Sequence, residues 1–356
     1  MTRMNRRIAL LVPLAALVIA CGGSEKASTA PATTAAAAAA PVVALQKVTA
    51  GYIPILIYAP IFVGIERGYF KEQGIELELQ ALAGGADMLT QTAAGNFDVG
   101  AGGIGSAYFN LAARARDLKQ AQPIEIVAPL HAERPPLATP LVVGKKAFDA
   151  GTYTRTADLK GKKVAVNALG AATEFWLEKA LNQGGLTIKD VELLAIPFPS
   201  IAQALDSGAI AGAMLGEPFA TLGARQGQIK VLDDRFLSGD QPTAVYYNSA
   251  WAQKNPRLAQ GFMTAYLTSV RDLERGGWQD PKTIEILSKY TSVPAETIAV
   301  AARPYGEPNG TVNLASLQNQ QTFFKQAGRL TYEQPLDLAA LINGTYASEA
   351  VKSLGK

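Results

Sequence analysis

Two glycine-rich turns, each leading to a hydroxyl residue, are the segments of this chain best suited to hold a small ligand. The first is residues 100–105, followed by Ser106, and the second begins at Gly170 and reaches Thr173. Backbone N–H groups and hydroxyls at a helix start bind ligand oxygen atoms, and glycine lets the backbone approach a ligand closely. We therefore expect Gly105, Ser106 and Thr173 to contact a ligand.

The first turn also satisfies the dinucleotide-binding pattern G-x-G-x-x-G, with Glu125 twenty residues beyond its last glycine. Glu125 stands at the start of an apolar run, whereas the acid that binds ribose belongs at the end of one. A dinucleotide-dependent enzyme is therefore a weaker alternative, which binding or turnover of NADH would reveal.

Aromatic side chains occupy positions where they could stack on a flat ligand. Tyr52, Tyr58 and Phe62 belong to the first strand-to-helix loop, and Tyr108 lies just inside the third helical pattern. Trp176 follows the second glycine turn, but its apolar neighbours at helical spacing also favour a place in the core. Aromatic residues fill cores as well as ligand sites, so both places stay open for each of them.

Glu217 is a carboxylate that we expect at the site, because it follows an apolar run and directly precedes Pro218, where a helix begins. The helix dipole alone would also favour an acid there. An ionised carboxylate accepts hydrogen bonds and opposes an anion. The segments expected at the site contain no Lys or Arg: residues 52–62, 84–88, 105–108, 170–176 and 214–219. These residues favour an uncharged ligand with hydrogen-bond donors.

Catalysis has little support in the sequence. His131 is the only histidine and Cys21 the only cysteine. A histidine metal site or a thiolate cluster therefore cannot be assembled, and neither can a disulfide within the chain. We expect His131 to be a hydrogen-bonded structural residue, and we predict no enzymatic activity, no metal and no cofactor.

Strands and helices alternate along the chain in two series of the same plan. In the first series, runs at 47–50, 76–79 and 97–99 precede helical patterns at 60–73, 86–94 and 106–114; in the second, runs at 163–167, 191–195 and 210–215 alternate with helices at 171–183 and 201–207. This order is typical of an α/β fold with parallel strands and crossover helices. Two similar series predict two lobes with a cleft between them.

The chain crosses between the lobes at the extended segments 138–143 and 241–247, which contain Thr139 and Tyr246. We predict that lobe I comprises residues 46–139 and 246–356 and that lobe II comprises residues 140–245. Thr139, Tyr246 and Gly85, the last from the segment 84–88, complete the predicted ligand-binding set.

The N-terminus has the layout of an export signal. Three arginines are followed by thirteen uncharged residues from Ile8 to Ala20, a run too short to span a bilayer. Ala20 directly before Cys21 resembles the lipobox of bacterial lipoproteins, which implies a cleaved signal peptide at 1–20, acylation of Cys21 and anchoring to the outer face of the cell membrane. Residues 21–45 are then the acylated N-terminus and a flexible linker. Without residues 1–20 the chain carries 30 basic and 30 acidic residues, which disfavours nucleic acid as a partner.

Ordered blocks of the sequence resemble one family of periplasmic substrate-binding proteins, which serves ABC importers of sulfonates, nitrate and vitamin precursors and includes a fungal thiamine-pyrimidine synthase. The blocks are residues 59–63, 66–71, 95–99, 158–166 and 217–219. The resemblance implies a two-lobed type II periplasmic-binding-protein fold with mainly parallel sheets and a hinged cleft. It also implies a monomer that closes on a small ligand and delivers it to permease and ATPase subunits. The cysteine-rich motif of the synthase is absent here.

Within this family, the aromatic residues and Glu217 favour a heteroaromatic vitamin, with riboflavin first and a thiamine pyrimidine precursor second. The alternative is a sulfonate such as taurine, or nitrate. In the anion-binding relatives the turn that matches residues 170–173 presents N–H groups and hydroxyls to the ligand.

Overall fold

The computed structural model of this chain describes residues 44–82 and 85–355. The predicted signal peptide, Cys21 and nearly all of the predicted linker lie outside these residues. Within them, no helix has both the length and the apolar character that crossing a membrane requires.

Ten strands of the described residues form two five-stranded sheets. The strands are β1 (Gln46–Tyr52), β2 (Ile75–Ala81), β3 (Val99–Gly103), β4 (Ile124–His131), β5 (Leu141–Gly144), β6 (Lys163–Val166), β7 (Glu192–Ala195), β8 (Gly212–Met214), β9 (Ile229–Asp233) and β10 (Thr243–Asn248). The first sheet has the order β2-β1-β3-β10-β4, and the second has the order β7-β6-β8-β5-β9. The chain thus leaves the first sheet after β4, builds the second, and returns with β10.

Both sheets are mixed, but four of the five strands in each run in the same direction, so the prediction of mainly parallel sheets is confirmed. Strand β1 is parallel to β2 and β3, and β6 is parallel to β7 and β8. Strand β10 is antiparallel to β3 and β4, and β5 is antiparallel to β8 and β9. The antiparallel strands β5 and β10 come directly after the two crossings, so the chain enters each sheet there without a crossover helix.

Fourteen helices surround the sheets in the described residues. They are α1 (Ala59–Glu66), α2 (Tyr69–Glu72), α3 (Gly85–Ala93), α4 (Ser106–Asp117), α5 (Lys145–Asp149), α6 (Ala172–Gln183), α7 (Phe198–Asp206), α8 (Phe219–Arg225), α9 (Ser249–Lys254), α10 (Pro256–Glu274), α11 (Pro281–Thr291), α12 (Ala295–Ile298), α13 (Leu314–Gln326) and α14 (Thr345–Leu354). Gly68, with φ of 82°, separates α1 from α2, a conformation that glycine adopts without strain.

The C-terminal helices hold the two sheets together. Helix α10 packs against α1, α2 and α14, on the side of the first sheet. Helix α13 contacts both α4, which follows β3 of the first sheet, and α6, which follows β6 of the second. Phe323 of α13 packs edge-on against Phe175 of α6, and Phe324 packs against Phe109 of α4. Helix α13 thereby fixes the two helices whose first turns meet at the candidate site.

Candidate functional site

A cleft lies where helices α4 and α6 begin, and both glycine-rich turns line it. The residues of the first-sheet side are Ile53, Ile55, Ile57, Tyr58, Leu89, Gly102, Gly103, Gly105, Ser106, Ala107, Tyr108 and Thr243; those of the second-sheet side are Thr139, Asn167, Leu169, Gly170, Ala171, Ala172, Thr173, Trp176 and Phe198. No Lys, Arg, Asp or Glu lines it among residues 44–82 and 85–355. The cleft is therefore a mostly apolar space with a few polar groups, as small-molecule sites are.

The first turns of α4 and α6 face this space without side-chain caps. Gly105 and Ala171 are the N-cap residues, and neither makes a side-chain capping bond within the described part of the chain. The first N–H groups of a helix have no acceptor within the helix, and the dipole makes this end partly positive. The N–H of Ser106 donates to the carbonyl oxygen of Gly170 at 2.8 Å, while those of Ala172 and Thr173 stay available to a ligand acceptor.

The two sides of the cleft touch through glycine. A Cβ on Gly105 would lie 2.2 Å from the carbonyl oxygen of Gly170, and one on Gly103 would lie 3.0 Å from Cβ of Ala172. The two sides of the cleft are thus in contact, and the cavity between them measures about 60 Å³. A water molecule needs roughly 10–15 Å³ of such space, and pockets for drug-sized ligands reach about 300–1,000 Å³.

Two buried donors of the cleft have no acceptor. Tyr108 is 2% exposed and Trp176 is 3% exposed, and neither the Tyr108 hydroxyl nor the Trp176 Nε1–H has a hydrogen-bond partner among the described residues. Burial, with a smaller contribution from the charge of Glu125, raises the pKa of Tyr108, so this hydroxyl stays protonated. An indole N–H can only donate. A buried polar group without a partner is rare in proteins, so both donors point to an acceptor supplied by a ligand.

The other hydroxyls of the cleft already donate within the protein. Tyr58 donates to the carbonyl oxygen of Ala101 at 2.6 Å, and Thr173 donates to Oδ1 of Asn167 at 2.5 Å. Ser106 Oγ lies 3.4 Å from the carbonyl oxygen of Gly170. Tyr58 and Thr173 therefore shape the cleft, and the donors left for a ligand are those of Tyr108, Trp176 and the helix starts.

Glu174 anchors the second glycine-rich turn through a hydrogen bond to its backbone. One carboxylate oxygen accepts the N–H of Gly170 at 2.6 Å, and the other accepts Nε of Arg329 at 3.0 Å. Glu174 is 1% exposed, and Arg329 follows α13 with its carbonyl oxygen bound to Asn110 of α4. The Arg329–Glu174 pair thus joins the α4 side to the α6 side and balances a buried charge behind the cleft.

The cleft brings together seven of the twelve predicted ligand-binding residues. Those that line it are Tyr58, Gly105, Ser106, Tyr108, Thr139, Thr173 and Trp176. Gly85 is the first residue of α3, next to residues that the structure does not describe, and its role stays a prediction.

Three predicted aromatic contacts lie in the core instead. Phe62 stacks on Tyr290 with ring centroids 4.3 Å apart, and Tyr52 packs edge-on against Phe62 at 5.3 Å. Tyr246 is fully buried beside Gly100, where a Cβ would lie 2.1 Å from its ring. These three side chains do not line the cleft, because helix α11 and the bare backbone of β3 offer them apolar surfaces to pack against.

Glu217 lies in a different pocket and does not line the cleft. That pocket is lined by Arg134, Pro135, Pro136, Glu217, Thr221 and residues 299–303. The carboxylate accepts the N–H and the hydroxyl of Thr221 at 3.0 and 2.8 Å. The backbone of Glu217 bonds to Leu56 and Ala138, and this path turns the side chain away from the cleft. Burial raises the pKa of Glu217, against the lowering by the bonds from Thr221 and the backbone of Ala302.

Replacing Glu217 by Gln is expected to leave ligand affinity unchanged and to raise stability at neutral pH. When an acid has a higher pKa in the folded state than in the unfolded state, the protein loses stability as the pH rises from the unfolded pKa to the folded one. The neutral amide removes this loss, so the gain should vanish below the ordinary pKa of a glutamate. Thermal unfolding of both proteins at acidic and neutral pH measures the difference, and ligand titration checks the affinity. A variant that binds clearly more weakly would restore Glu217 to the ligand site.

Sequence reasoning missed two polar residues that line the cleft, Asn167 and Thr243. Asn167 follows strand β6 directly, so its place at the carboxyl end of a strand was the available signal. Thr243 is the first residue of β10, and its place depends on the antiparallel pairing of that strand with β3. Glu125 gives no support to dinucleotide binding, because its carboxylate accepts Nδ2 of Asn343 at 3.0 Å.

Comparison with known proteins gives consistent matches over most of the chain. The sequence model of the NMT1-like family matches residues 43–288. The nitrate/nitrite binding protein NrtA of Nostoc sp. strain PCC 7120 is 25% identical over 314 residues, which cover 83% of this chain and 70% of that protein. The bicarbonate-binding protein CmpA of Synechococcus elongatus is 25% identical over 243 residues, which cover 62% of this chain and 53% of that protein.

Solved structures share the fold. The periplasmic nitrate-binding protein NrtA from Synechocystis PCC 6803 superposes with a TM-score of 0.71 at 18% identity, covering 87% of this chain and 89% of that one. The periplasmic aliphatic sulphonate binding protein SsuA from Escherichia coli gives a TM-score of 0.65 at 21% identity, covering 85% and 99%. The prediction of an α/β periplasmic-binding-protein fold is confirmed.

Proposed function

The chain belongs to the NMT1-like family, and from this premise we propose that it is the substrate-binding component of an ABC importer for a small oxyanion. Its relatives include proteins named for binding nitrate and nitrite, bicarbonate and aliphatic sulphonates. These ligands share a compact group of oxygen acceptors and a negative charge. The proposed ligand class is therefore an oxyanion of nitrate, bicarbonate or sulfonate type.

The unpaired donors of the cleft are the observation that carries this proposal. Trp176 Nε1–H and the Tyr108 hydroxyl are buried without acceptors in the part of the chain that the structure describes, and the uncapped starts of α4 and α6 add backbone N–H groups and positive dipole ends. An oxyanion supplies several acceptor oxygens at once, and helix N-termini favour its charge. A flat uncharged heterocycle has acceptors for the two side-chain donors but gains no charge stabilisation from the helix starts.

The location of Glu217 removes one of two arguments against an anion. The preference for an uncharged ligand rested on a carboxylate at the cleft and on the absence of Lys and Arg there. Glu217 lies in the pocket of Thr221 instead, and the positive ends of α4 and α6 stabilise an anion without a cationic side chain. The cavity of about 60 Å³ in this conformation is also small compared with pockets that hold drug-sized ligands such as riboflavin. Riboflavin and the thiamine pyrimidine precursor thus find no support in the cleft or in the relatives, and the oxyanion alternative is preferred.

Isothermal titration calorimetry tests the ligand class. The protein is first unfolded and refolded to remove ligand carried over from expression. Nitrate, bicarbonate, taurine and riboflavin are the four probes. We expect saturable one-to-one binding of at least one oxyanion and none of riboflavin. Binding of riboflavin alone would overturn the oxyanion proposal and return the heteroaromatic vitamin to first place.

Replacing Trp176 by Phe is expected to weaken binding of the oxyanion found in that titration by roughly thirtyfold. The variant keeps an aromatic ring but loses the N–H, and a hydrogen bond to a charged acceptor contributes about 2 kcal/mol. Trp251→Phe is the matched control, because Trp251 packs against Tyr247 away from the cleft. Equal affinities of the two variants would show that Trp176 donates nothing to the ligand.

Export and anchoring complete the proposed function. We infer that the signal at residues 1–20 directs export and that acylated Cys21 anchors the protein at the outer face of the cell membrane, with residues 21–45 as the linker. Metabolic labelling with a clickable fatty acid should mark the protein, and Cys21→Ser should abolish the label. Unchanged labelling of that variant would refute acylation at Cys21. We propose a monomer without catalytic activity, which closes by movement of the second sheet and its helices against the first sheet.

A further inference from the structure

A buried acid–imidazole–hydroxyl chain ends at the wall of the cleft. His131 Nδ1 lies 2.6 Å from Oγ1 of Thr243, and His131 Nε2 lies 3.2 Å from Oε1 of Glu133. His131 is 1% exposed and Glu133 2% exposed, while Thr243 lines the cleft. The His131 ring also packs edge-on against Trp176 at 5.8 Å. The only histidine of the chain therefore stands directly behind two residues of the proposed ligand site.

The number of protons on the Glu133–His131 pair decides what Thr243 offers to the cleft. If Glu133 is ionised and His131 neutral, Nε2–H donates to the carboxylate and Nδ1 is left as an acceptor. The Thr243 hydroxyl must then donate to Nδ1, and only its oxygen lone pairs face the cleft. With one more proton on the pair, Nδ1–H donates to Thr243, and the hydroxyl hydrogen is free to bond to a ligand. This result is the same whether the added proton resides on His131 or on Glu133.

Charge balance favours the additional proton when an anion is bound. No cationic side chain lines the cleft among the described residues, and Oε2 of Glu133 has no partner there. An anion in the cleft and an ionised Glu133 would place two negative charges close together in a dry environment, which is unfavourable. A proton on the pair removes one of them and supplies a hydrogen-bond donor at the same time.

We propose that His131, held by Glu133, is the positioning residue that turns Thr243 into a donor, so that an oxyanion enters the cleft together with one proton. This inference rests on the proposed function, since it names how the same cleft stabilises an anion without a lysine or an arginine. It assigns no contact with the ligand to His131 itself. Its consequence is selection of ligands with acceptor oxygens, strengthened at lower pH.

Other ionisable groups surround the pair and set the controls. Glu274 and Tyr305 line a small cavity together with His131. Arg134 stacks on the ring of Tyr305 and pairs with Glu274 at 3.9 Å. Asp240 lies within the electrostatic influence of Glu133 and Lys179. Burial raises the pKa of Asp240, and the charge of Glu133 adds to the rise. Glu274 is the matched control carboxylate, because it borders the same cavity without bonding to the imidazole.

The test is the affinity for nitrate, measured by calorimetry from about pH 5 to about pH 8. Nitrate stays an anion over this range, so any pH dependence belongs to the protein. Because binding takes up a proton, affinity should fall by up to about tenfold per pH unit of rise. Glu133→Gln should bind nitrate with a flat profile, and Glu274→Gln should keep the wild-type slope. If nitrate does not bind, taurine is the probe over the same range.

Thr243→Val gives a second, independent readout. Its affinity should be about tenfold lower than that of the wild type at acidic pH, and nearly equal at alkaline pH, where the wild-type hydroxyl already donates to His131.

The ¹⁵N resonances of the single imidazole report the protonation of its ring directly, and ligand addition should shift Nδ1 to the protonated form. Binding that is independent of pH in the wild type would overturn this inference and leave the proposed function intact. Failure of every oxyanion to bind would overturn both.

Discussion

Replacing Gly105 by Ala is expected to weaken ligand binding at least about a hundredfold while the protein stays folded. The added methyl would lie 2.2 Å from the carbonyl oxygen of Gly170, a backbone atom that cannot rotate away. Overpacking of this kind costs about 3 kcal/mol, which corresponds to a hundredfold change in affinity. The backbone of Gly105 is extended, with φ of −111°, so alanine itself adopts it without strain and the open form is unaffected.

Small-angle scattering with and without ligand separates lost closure from lost folding. Wild-type protein should contract when ligand is added, whereas the Gly105→Ala protein should keep its larger radius of gyration and its thermal stability. Gly344→Ala is the matched control, because Gly344 has φ of −77° and no atom of the described residues near the position of a Cβ. A Gly105→Ala protein that contracts and binds like the wild type would show that the close approach to Gly170 is not needed for binding.

Local patterns predicted most of the elements around the site, because each is specified by neighbouring residues. The run at 163–167 became β6 (Lys163–Val166), and the helical pattern at 171–183 became α6 (Ala172–Gln183). The strand is a run with β-branched residues, and the helix follows a glycine turn. The predicted helix at 60–73 is instead two helices, since Gly68 takes a left-handed conformation that the apolar spacing does not reveal.

Strand direction at the crossings could not be predicted from composition. The sequences of segments 138–143 and 241–247 predict extended, mostly apolar strands. They do not indicate whether the neighbouring strand is parallel or antiparallel. Their pairing is decided by the point at which the chain enters each sheet. Thr243 reaches the cleft through this pairing, opposite Gly103 of β3, which is why sequence reasoning did not find it.

The positions of Glu217 and of the aromatic residues were decided by contacts between distant parts of the chain. Phe62 stacks on Tyr290, and the backbone of Glu217 bonds to Leu56 and Ala138. No local pattern encodes such partners. The glycine-rich turns were predictable because their chemistry lies in the backbone at a helix start, and Ser106 and Thr173 do line the cleft.

Replacing Arg329 by Met is expected to destabilise the protein by about 2 kcal/mol and to weaken ligand binding. Removing one partner of a buried ion pair leaves an uncompensated charge, which typically costs about 3–5 kcal/mol, and the partial exposure of Arg329 reduces this figure. Glu174 would remain buried without its cation at the first turn of α6, where it holds the N–H of Gly170. Denaturant unfolding gives the stability, and titration with the oxyanion gives the affinity.

The double variant Glu174→Gln with Arg329→Met distinguishes a charge effect from lost packing. The substituted amide keeps an acceptor oxygen for the N–H of Gly170 but carries no charge, so most of the lost stability should return. Affinity should recover only in part, because Arg329 links the two sides of the cleft in two ways. Its backbone carbonyl oxygen accepts a hydrogen bond from Asn110 of α4, and its side chain, which the variant lacks, binds Glu174 of α6. If the double variant is as unstable as Arg329→Met alone, the contribution of Arg329 is packing of its aliphatic stem. Recovery of stability would instead show that the buried carboxylate is tolerated because Arg329 balances its charge, so that one ion pair both compensates Glu174 and holds the turn at Gly170.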